Sequence, residues 1–351
     1  MWCNDMNRDK VIHIKSIKIK GFRGIRNIMR GALEGFMGIN IFIGRNNSGK
    51  STIIEAIYLV STLDKLDALG RIPMEYIIKR RGWYGLDTLK DIIHRKLSKA
   101  EIEAVIANNT QTAVIISKPG LDLIKTDILY SDRTSVTTYS INISFNSAGS
   151  AKIFTGKKEI SPNIIFIDWN VVREFGLPEK VYSFLLEYGG KEAEKNLVNV
   201  FKTMYSELEE FKVLPKNNKW VLSAILTKYS IPFYLLGDGI KSAFIYIALL
   251  NSVEKGIILI EEPELHQHIG SMEFIAEAII KSRKERENQV FITTHSLEFI
   301  DLVLRKAKKY DMGKEISIYR ISLKNGELKY RLYSYEEALK AREEFEVDLR
   351  V

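Results

Sequence analysis

Apolar and polar positions follow two different periods along the chain. Residues 11–20 largely alternate between the two kinds, which is typical of a half-buried strand. Residues 39–43 are mostly apolar without alternation, and a glycine-containing loop separates them from residues 51–63, whose apolar spacing is helical. The first part of the chain is therefore predicted to form a half-buried strand, then a buried strand, a loop and a helix.

The middle of the chain changes character twice. Residues 74–108 are basic with helical spacing, and the β-rich runs after them are separated in part by glycine and serine clusters, which predicts an antiparallel sheet. Helical spacing returns between residues 180 and 214. The β-rich runs are 112–118, 121–131, 134–145 and 163–168.

Strand and helix patterns alternate in the last third. A glycine-containing turn at 235–239 precedes a helical pattern at 240–253. The alternating segments that follow are 256–261, 268–284, 289–294 and 297–308, with two further strands at 316–322 and 327–334. This order is typical of parallel strands joined by crossover helices.

Composition excludes several classes of protein. The 351 residues are 46% hydrophobic and 27% charged, which is too apolar for a disordered chain, and the mean hydropathy of −0.09 is too low for a membrane bundle. The longest apolar run, 243–250, is too short to cross a bilayer, and Cys3 has no partner for an internal disulfide. Because the N-terminus also has no signal-peptide pattern, we expect a cytoplasmic protein without membrane insertion. The net charge of +8 favours polyanionic partners.

A phosphate-binding motif lies between the buried strand and its helix. Residues 44–51 fit GxxxxGK[ST], whose glycines let backbone N–H groups surround phosphates. Lys50 is expected to bind the β- and γ-phosphates, and Ser51 to bind Mg²⁺. The alternative is a glycine turn that only starts a helix. The predicted ATP ligands are Gly44, Arg45, Asn46, Asn47, Ser48, Gly49, Lys50, Ser51 and Thr52.

Two adjacent carboxylates end a later apolar strand. Residues 257–260 are apolar and run directly into Glu261 and Glu262, so both acids are predicted at the carboxyl edge of the sheet, where ligands of open α/β sheets bind. We assign Glu261 to Mg²⁺ and Glu262 to orienting or deprotonating the attacking water. Ordinary solvated acids at a strand end are the alternative.

Two further elements complete the predicted nucleotide site. His295, at the end of the next strand, can donate a hydrogen bond to the γ-phosphate and is placed with Lys50 and Glu262 in the catalytic set. The glycines of Gly237-Asp238-Gly239 open a helix whose N-terminus would attract an anion. A second phosphate-seeking helix in one chain suggests use in trans, although an ordinary glycine-capped helix has the same pattern.

One basic run suggests contact with DNA. Lys79, Arg80 and Arg81 precede a tryptophan and a tyrosine, which combines phosphate-seeking charge with rings for stacking. Residues 65–99 carry nine Lys or Arg against four Asp or Glu. A solvated helix face with Trp83 in the core is the alternative.

The motifs and their order resemble the ABC-type ATPase heads of the SMC and RecF relatives. The run 261–268, EEPELHQH, is most similar to the overcoming-lysogenisation-defect (OLD) family and its stand-alone AAA-like relatives, and residues 14–28 are similar to the first hairpin of those heads. The matches cover about the first 60 residues and roughly 230–310. The resemblance implies two heads that enclose two ATP molecules, each site joining one subunit's Lys50, Glu262 and His295 to residues 237–239 of the other.

The sequence also departs from the family pattern. The relatives often have Asp where Glu261 stands, Leu and Pro where Gln267 and Ile269 stand, and a different signature from GDG. For the metal-binding glutamine that the family carries, Gln111 is the candidate by position. In the OLD nucleases a Toprim domain follows the head, whereas about 50 residues without an acid cluster follow His295 here. We therefore expect no nuclease activity in this chain and a separate nuclease or effector subunit.

The sequence predicts an α/β P-loop ATPase of ABC type, with a mixed or parallel core sheet, an antiparallel β subdomain and a helical insertion. Residues 1–66 and 160–351 are assigned to the head, with a helical subdomain at about 175–215, and 67–159 to an inserted basic region. The predicted function is an ATPase, with ATP and Mg²⁺ as cofactors, whose dimerisation regulates a DNA-acting repair or defence effector. A transport ATPase is the alternative. A GTPase or small-molecule kinase is disfavoured because no NKxD motif is present.

Overall fold

A computed structural model describes residues 13–107, 110–131, 135–153, 159–174, 176–344 and 347–350, so Cys3 lies outside the described part. The strands are β1 Ile14–Lys20, β2 Asn27–Ile28, β3 Leu33–Glu34, β4 Ile39–Ile43, β5 Lys99–Ile106, β6 Gln111–Ser117, β7 Leu123–Ser131, β8 Val136–Phe145, β9 Ala151–Ile153, β10 Ile164–Ile167, β11 Leu208–Lys216, β12 Lys219–Leu226, β13 Ser230–Pro232, β14 Ile257–Glu261, β15 Gln289–Thr293, β16 Ile316–Lys324 and β17 Glu327–Ser334. The helices are α1 Lys50–Thr62, α2 Pro73–Lys79, α3 Trp169–Arg173, α4 Leu177–Phe184, α5 Gly190–Met204, α6 Asp238–Leu250, α7 Ile269–Arg286, α8 Leu297–Tyr310 and α9 Tyr335–Glu343.

The central sheet has seven strands in the order β10-β14-β15-β4-β16-β17-β2. Its strands pair in parallel except for the β16–β17 hairpin. β4 is buried along its whole length, as are the first four residues of β14, as expected for strands covered on both faces. This sheet confirms the mixed, mainly parallel core that the strand and helix alternation predicted.

A second seven-stranded sheet is antiparallel throughout, in the order β3-β1-β5-β6-β7-β8-β9. One apolar core contains residues of this sheet, of α1 and of one face of the central sheet, so the P-loop helix lies between the two sheets. The other face of the central sheet packs with residues of α6, α7 and α8. Burial on both sides therefore fixes the position of α1, which begins with Lys50.

Three sequence-based assignments are wrong. Residues 163–168, grouped with the antiparallel runs, contain β10, which pairs in parallel with β14 in the central sheet. Residues 99–106, placed in a basic helical stretch, form β5, and residues 208–216, at the end of a predicted helical segment, form β11 of a three-stranded sheet. The β5 burial pattern shows the reason: its inner residues Ala100, Ile102 and Ala104 alternate with more exposed ones, a two-residue period that short apolar side chains mark only weakly.

The domain boundaries drawn from the sequence stay a prediction. The strand pairing does bear on the inserted region, since β5 pairs with β1 over Lys20↔Glu101 to Ile14↔Ile106. Strands of residues 67–159 thus extend the sheet that the first strand of the head begins. We find no helix within the described residues that is both long and apolar enough to cross a membrane.

Candidate nucleotide site

Neighbouring parallel strands bring the predicted motifs to one edge of the central sheet. β15 lies between β14 and β4, with Glu261 opposite Thr293 and Thr293 opposite Phe42. Beyond the strands, the Glu262 amide donates to the Thr293 carbonyl at 2.9 Å and the Thr294 amide to the Phe42 carbonyl at 3.2 Å. The P-loop, the acid pair and the His295 loop therefore all leave the sheet at its carboxyl edge, where open α/β sheets bind ligands.

The P-loop backbone depends on two glycines of the motif, Gly44 and Gly49. Gly44 has φ +146°, and a Cβ there would collide with the Ile321 carbonyl oxygen. Gly49 has φ +95° and precedes α1, whose N-terminus carries no side-chain cap and no acid in its first turn. Free amides and the positive helix end face the same loop, so the segment is built to receive an anion.

The Lys50 side chain is buried against the P-loop. Its ammonium donates to the carbonyl oxygens of Gly44 at 2.8 Å and Arg45 at 3.0 Å, and the residue is 5% exposed. Burial lowers the pKa of Lys50 to about 8, although the negative charges of Glu262 and Glu264 oppose the shift. A phosphate would supply the full counter-charge that two carbonyl groups lack.

Glu262 and His295 face each other across the ends of adjacent strands. The Glu262 Oε1 lies 3.4 Å from His295 Nε2, and both side chains are about one-third exposed, at 31% and 32%. Glu262 adopts φ +48°, a left-handed conformation that turns the chain away from the strand. Burial and the nearby charge of Lys50 lower the pKa of His295, whereas Glu262 raises it. The neutral imidazole this favours can donate one hydrogen bond and accept another.

Glu264 anchors the His295 loop, a role not predicted from the sequence. One carboxylate oxygen of Glu264 accepts from Thr294 Oγ1 at 2.7 Å, the His295 amide at 2.8 Å and the Ser296 amide at 3.2 Å. Its other oxygen is buried and has no hydrogen-bond partner among the described residues. Burial raises the pKa of Glu264 against these hydrogen bonds. The sequence does contain a signal for this role, the last acid of the run EEPE. Burial of a third carboxylate just after a strand end costs free energy unless that carboxylate accepts hydrogen bonds.

Arg80 is buried in an ion-pair cluster, so its prediction as a DNA contact is wrong. Its side chain is 6% exposed and pairs with Glu55 at 2.6 Å, with Asp168 at 2.7 Å and with Glu261. Arg23 and Arg81 also pair with Glu55, at 2.5 Å and 2.7 Å. The basic run was misread because its sequence cannot show three acids arriving from other elements.

The other residues of the basic run are partly exposed and paired within the chain. Lys79 lies 2.7 Å from Glu75, one helical turn earlier, and its side chain is 38% exposed. Arg81 is 39% exposed in its contact with Glu55. Trp83 stacks on Phe145 and donates to a backbone carbonyl, which agrees with a packing role for this ring.

Gln111 does not lie beside the P-loop, which corrects its assignment as a metal ligand. It opens β6 opposite Val105, and the neighbouring Ile106 pairs with Ile14 of β1. The Ile14 backbone in turn exchanges two 2.8 Å hydrogen bonds with the side chain of Gln289, the first residue of β15. Gln111 therefore belongs to the amino end of the parallel strands, opposite the nucleotide edge.

The Gly237–Gly239 segment forms an uncapped helix N-terminus. Gly237 is the N-cap of α6 without a side-chain hydrogen bond, and a Cβ there would meet nothing within 4 Å. Asp238 is 58% exposed and pairs with Lys241 at 3.2 Å. Gly239 packs closely on the backbone of His266, in the loop after the acid pair. Solvent thus reaches the first turn of the helix.

Fold and site together define a P-loop ATPase domain. The chain belongs to the AAA ATPase domain family AAA_15, whose sequence profile matches residues 13–153 and 143–300. The match runs through the middle of the chain, which the motif resemblance had left uncovered. It is thus broader than the motifs alone indicated.

Curated relatives span bacteria and archaea. The chain is 23% identical over 349 residues to a Helicobacter pylori protein named ATP/GTP phosphatase, covering 87% of this chain and 91% of that protein. It is 26% identical over 212 residues to an uncharacterised protein of Methanocaldococcus jannaschii, covering 60% of this chain and 94% of that one. A second uncharacterised protein of the same archaeon is 40% identical over 116 residues, 33% of this chain and 99% of its own length.

Solved SMC head structures share the fold. One, an SMC head bound to the C-terminal winged-helix domain of ScpA, superimposes with a TM-score of 0.53 at 15% identity and covers 93% of this chain and 99% of that one. Another, an SMC head with an extended coiled coil bound to the C-terminal domain of ScpA from Pyrococcus furiosus, gives 0.50 at 16% identity and covers 96% and 100%. At this identity the likeness establishes architecture alone.

Proposed function

We propose that this chain binds and hydrolyses ATP at the carboxyl edge of the central sheet, with Lys50, Glu262 and His295 in direct contact with the nucleotide or the attacking water. The observation that carries the proposal is the convergence of the three motifs, including the 3.4 Å approach of Glu262 to His295. Lys50 binds the β- and γ-phosphates, Glu262 orients and deprotonates the water, and His295 donates to the γ-phosphate. The remaining loop residues, 44–52, supply amides and hydroxyls around the phosphates.

Ser51 and Glu261 fit the requirements of Mg²⁺, which prefers a few protein oxygens together with phosphate. Ser51 lies one helical turn before Glu55 on α1, and Glu55 and Glu261 both contact Arg80, which supports a common position for the hydroxyl and the carboxylate. When bound there, Mg²⁺ would neutralise charge on the transferring phosphoryl group. Ser51 and Glu261 would hold it, directly or through water.

We further propose that ATP joins two copies of the chain. The α6 N-terminus at residues 237–239 is exposed at its first two residues and has no side-chain cap among the described residues, which suits the γ-phosphate held by a second subunit. The acid of its first turn, Asp238, pairs with Lys241. Hydrolysis would remove that shared ligand and weaken the dimer. The rate of ATP hydrolysis would then set the lifetime of the dimer.

Subunit complementation tests the shared site. Lys50→Ala removes the phosphate ligand of a subunit's own site, and Gly237→Arg blocks the helix that it offers to its partner. Each variant alone is expected to be inactive, whereas an equimolar mixture should recover about a quarter of the wild-type ATPase rate, because half of random dimers are mixed and each has one intact site. A mixture that stays inactive while both variants are folded would contradict the shared site. Gly237→Ala is the control for folding, since a Cβ meets no atom there.

We also propose that the dimer regulates a separate effector that acts on DNA in repair or defence, with a nuclease subunit as one form of it. The net charge of +8 and the cytoplasmic location expected from the sequence support a polyanionic partner. The SMC heads similar in fold are named as complexes with ScpA, which makes a protein partner reasonable. Lys79 and Arg81 are the candidate DNA contacts that reach solvent.

A salt titration tests the DNA contacts. Replacing Lys79 and Arg81 with alanine should reduce the magnitude of the slope of log affinity against log salt by roughly 1 to 2 for duplex DNA. Each phosphate contact that is lost removes about one counterion from those released on binding. Lys308→Ala/Lys309→Ala, on exposed positions of α8, is the charge-matched control. If the wild-type protein binds DNA and the slope of the Lys79/Arg81 variant equals the wild-type slope, these two residues are excluded as contacts.

A further inference from the structure

Arg80 connects the end of α2 to the edge of the nucleotide site. Its guanidinium contacts three carboxylates from three elements: Glu55 of α1 at 2.6 Å, Asp168 after β10 at 2.7 Å, and Glu261 at the end of β14. Arg80 thus pairs with the same carboxylate that the proposed function assigns to Mg²⁺.

The three carboxylates that contact Arg80 differ in burial. Glu55 and Asp168 are 0% and 3% exposed in their side chains, and the guanidinium also lies 4.8 Å from the centre of the Phe166 ring. Glu261 is more exposed, at 13%, and its side chain stands at the rim of the cluster. Glu55 and Asp168 therefore hold the guanidinium in the buried part of the cluster, and Glu261 is the most exposed of its three acids.

Charge balance points the same way. Glu55 retains Arg23 and Arg81 without Arg80, and Asp168 accepts from the Tyr76 hydroxyl at 2.6 Å. Glu261 has no ion-pair partner other than Arg80 among the residues that the structure describes. A carboxylate with one cationic neighbour cannot serve that cation and a divalent metal equally, because the two positive charges repel at close range.

We infer that Arg80 is a positioning residue that holds Glu261 while the nucleotide site is empty, and that binding of Mg–ATP draws Glu261 out of this ion pair. The inference rests on the proposed function, since it takes Glu261 as a metal ligand. Arg80 thereby raises the Mg²⁺ concentration that tight nucleotide binding requires.

Equilibrium binding of a fluorescent, non-hydrolysable ATP analogue across a Mg²⁺ titration tests this inference without measuring turnover. In Arg80→Gln the Mg²⁺ concentration at half-maximal binding should fall about tenfold relative to wild type, while the affinity measured in EDTA stays within about twofold. The matched control is Arg23→Gln, which removes an arginine from the same cluster but leaves Glu261 untouched. Its Mg²⁺ midpoint should equal that of wild type.

The possible outcomes are distinct. A midpoint in Arg80→Gln that is unchanged or higher would overturn the inference, as would an equal loss of affinity with and without Mg²⁺, which a purely structural role predicts. If Arg80→Gln does not fold, Arg80→Lys replaces it, because one ammonium cannot reach three carboxylates, and its midpoint should fall by a few-fold. Wild-type protein that binds no analogue at any Mg²⁺ concentration would instead contradict the proposed function.

Discussion

Replacing Lys50 with alanine is expected to lower the affinity for ATP by at least about 100-fold, because phosphates then lose a buried charged partner. The lysine is 5% exposed, and its ammonium is bonded to two carbonyl groups of its own loop, so its charge is only partly satisfied without an anion. Isothermal titration calorimetry at pH 7 gives the affinity directly. Arg45→Ala is the control, because Arg45 is proposed to contribute its backbone amide, which the substitution keeps, and its side chain is exposed.

The pKa of Lys50 supplies a second readout of the same contact. Because burial lowers this pKa to about 8, the charged form that binds phosphate predominates at pH 7 and is the minor form at pH 9. Wild-type affinity should therefore fall about tenfold over this interval, whereas Lys50→Arg should show no such dependence. Wild-type affinity retained in Lys50→Ala would refute the assignment of Lys50 to the phosphates.

Replacing Glu262 with glutamine is expected to slow ATP hydrolysis by about 10²- to 10⁴-fold while leaving ATP binding intact, since the amide cannot take a proton from water. The substitution preserves side-chain size next to His295, 3.4 Å away, and removes the charge that raises the pKa of the imidazole. Bound ATP then persists, and the dimer that it bridges should accumulate. Single-turnover hydrolysis and size-exclusion chromatography with light scattering measure the two effects.

Two double variants distinguish a dimer trapped by bound ATP from nonspecific association of the protein. Glu262→Gln/Lys50→Ala cannot bind ATP, and Glu262→Gln/Gly237→Arg binds it but lacks the free helix N-terminus. Neither should dimerise with Mg–ATP. A Glu262→Gln protein that binds ATP and stays monomeric would argue against the two-subunit site and leave hydrolysis within one chain as the mechanism.

The sequence by itself determined the parts of the site that are contiguous. Residues 44–51 predicted a loop between a strand and a helix because glycine spacing and apolar periodicity are local properties. The strand ending at Glu261 was visible in the same way, with four apolar residues before the acids. Even the shared edge followed from the rule that parallel strands end together.

Tertiary structure alone decided which charges meet. Arg80 and Glu261 are 181 positions apart, and only the packing of α2 against α1 and β10 turned a basic run into a buried cluster with Glu55 and Asp168. Gln111 lies at the end of the parallel strands opposite the P-loop, because its position is set by the register of strand pairing, which no local pattern determines. Local periodicity determined the contiguous elements of the site, but the energy of a buried charge depends on partners that are distant in the chain and adjacent in space.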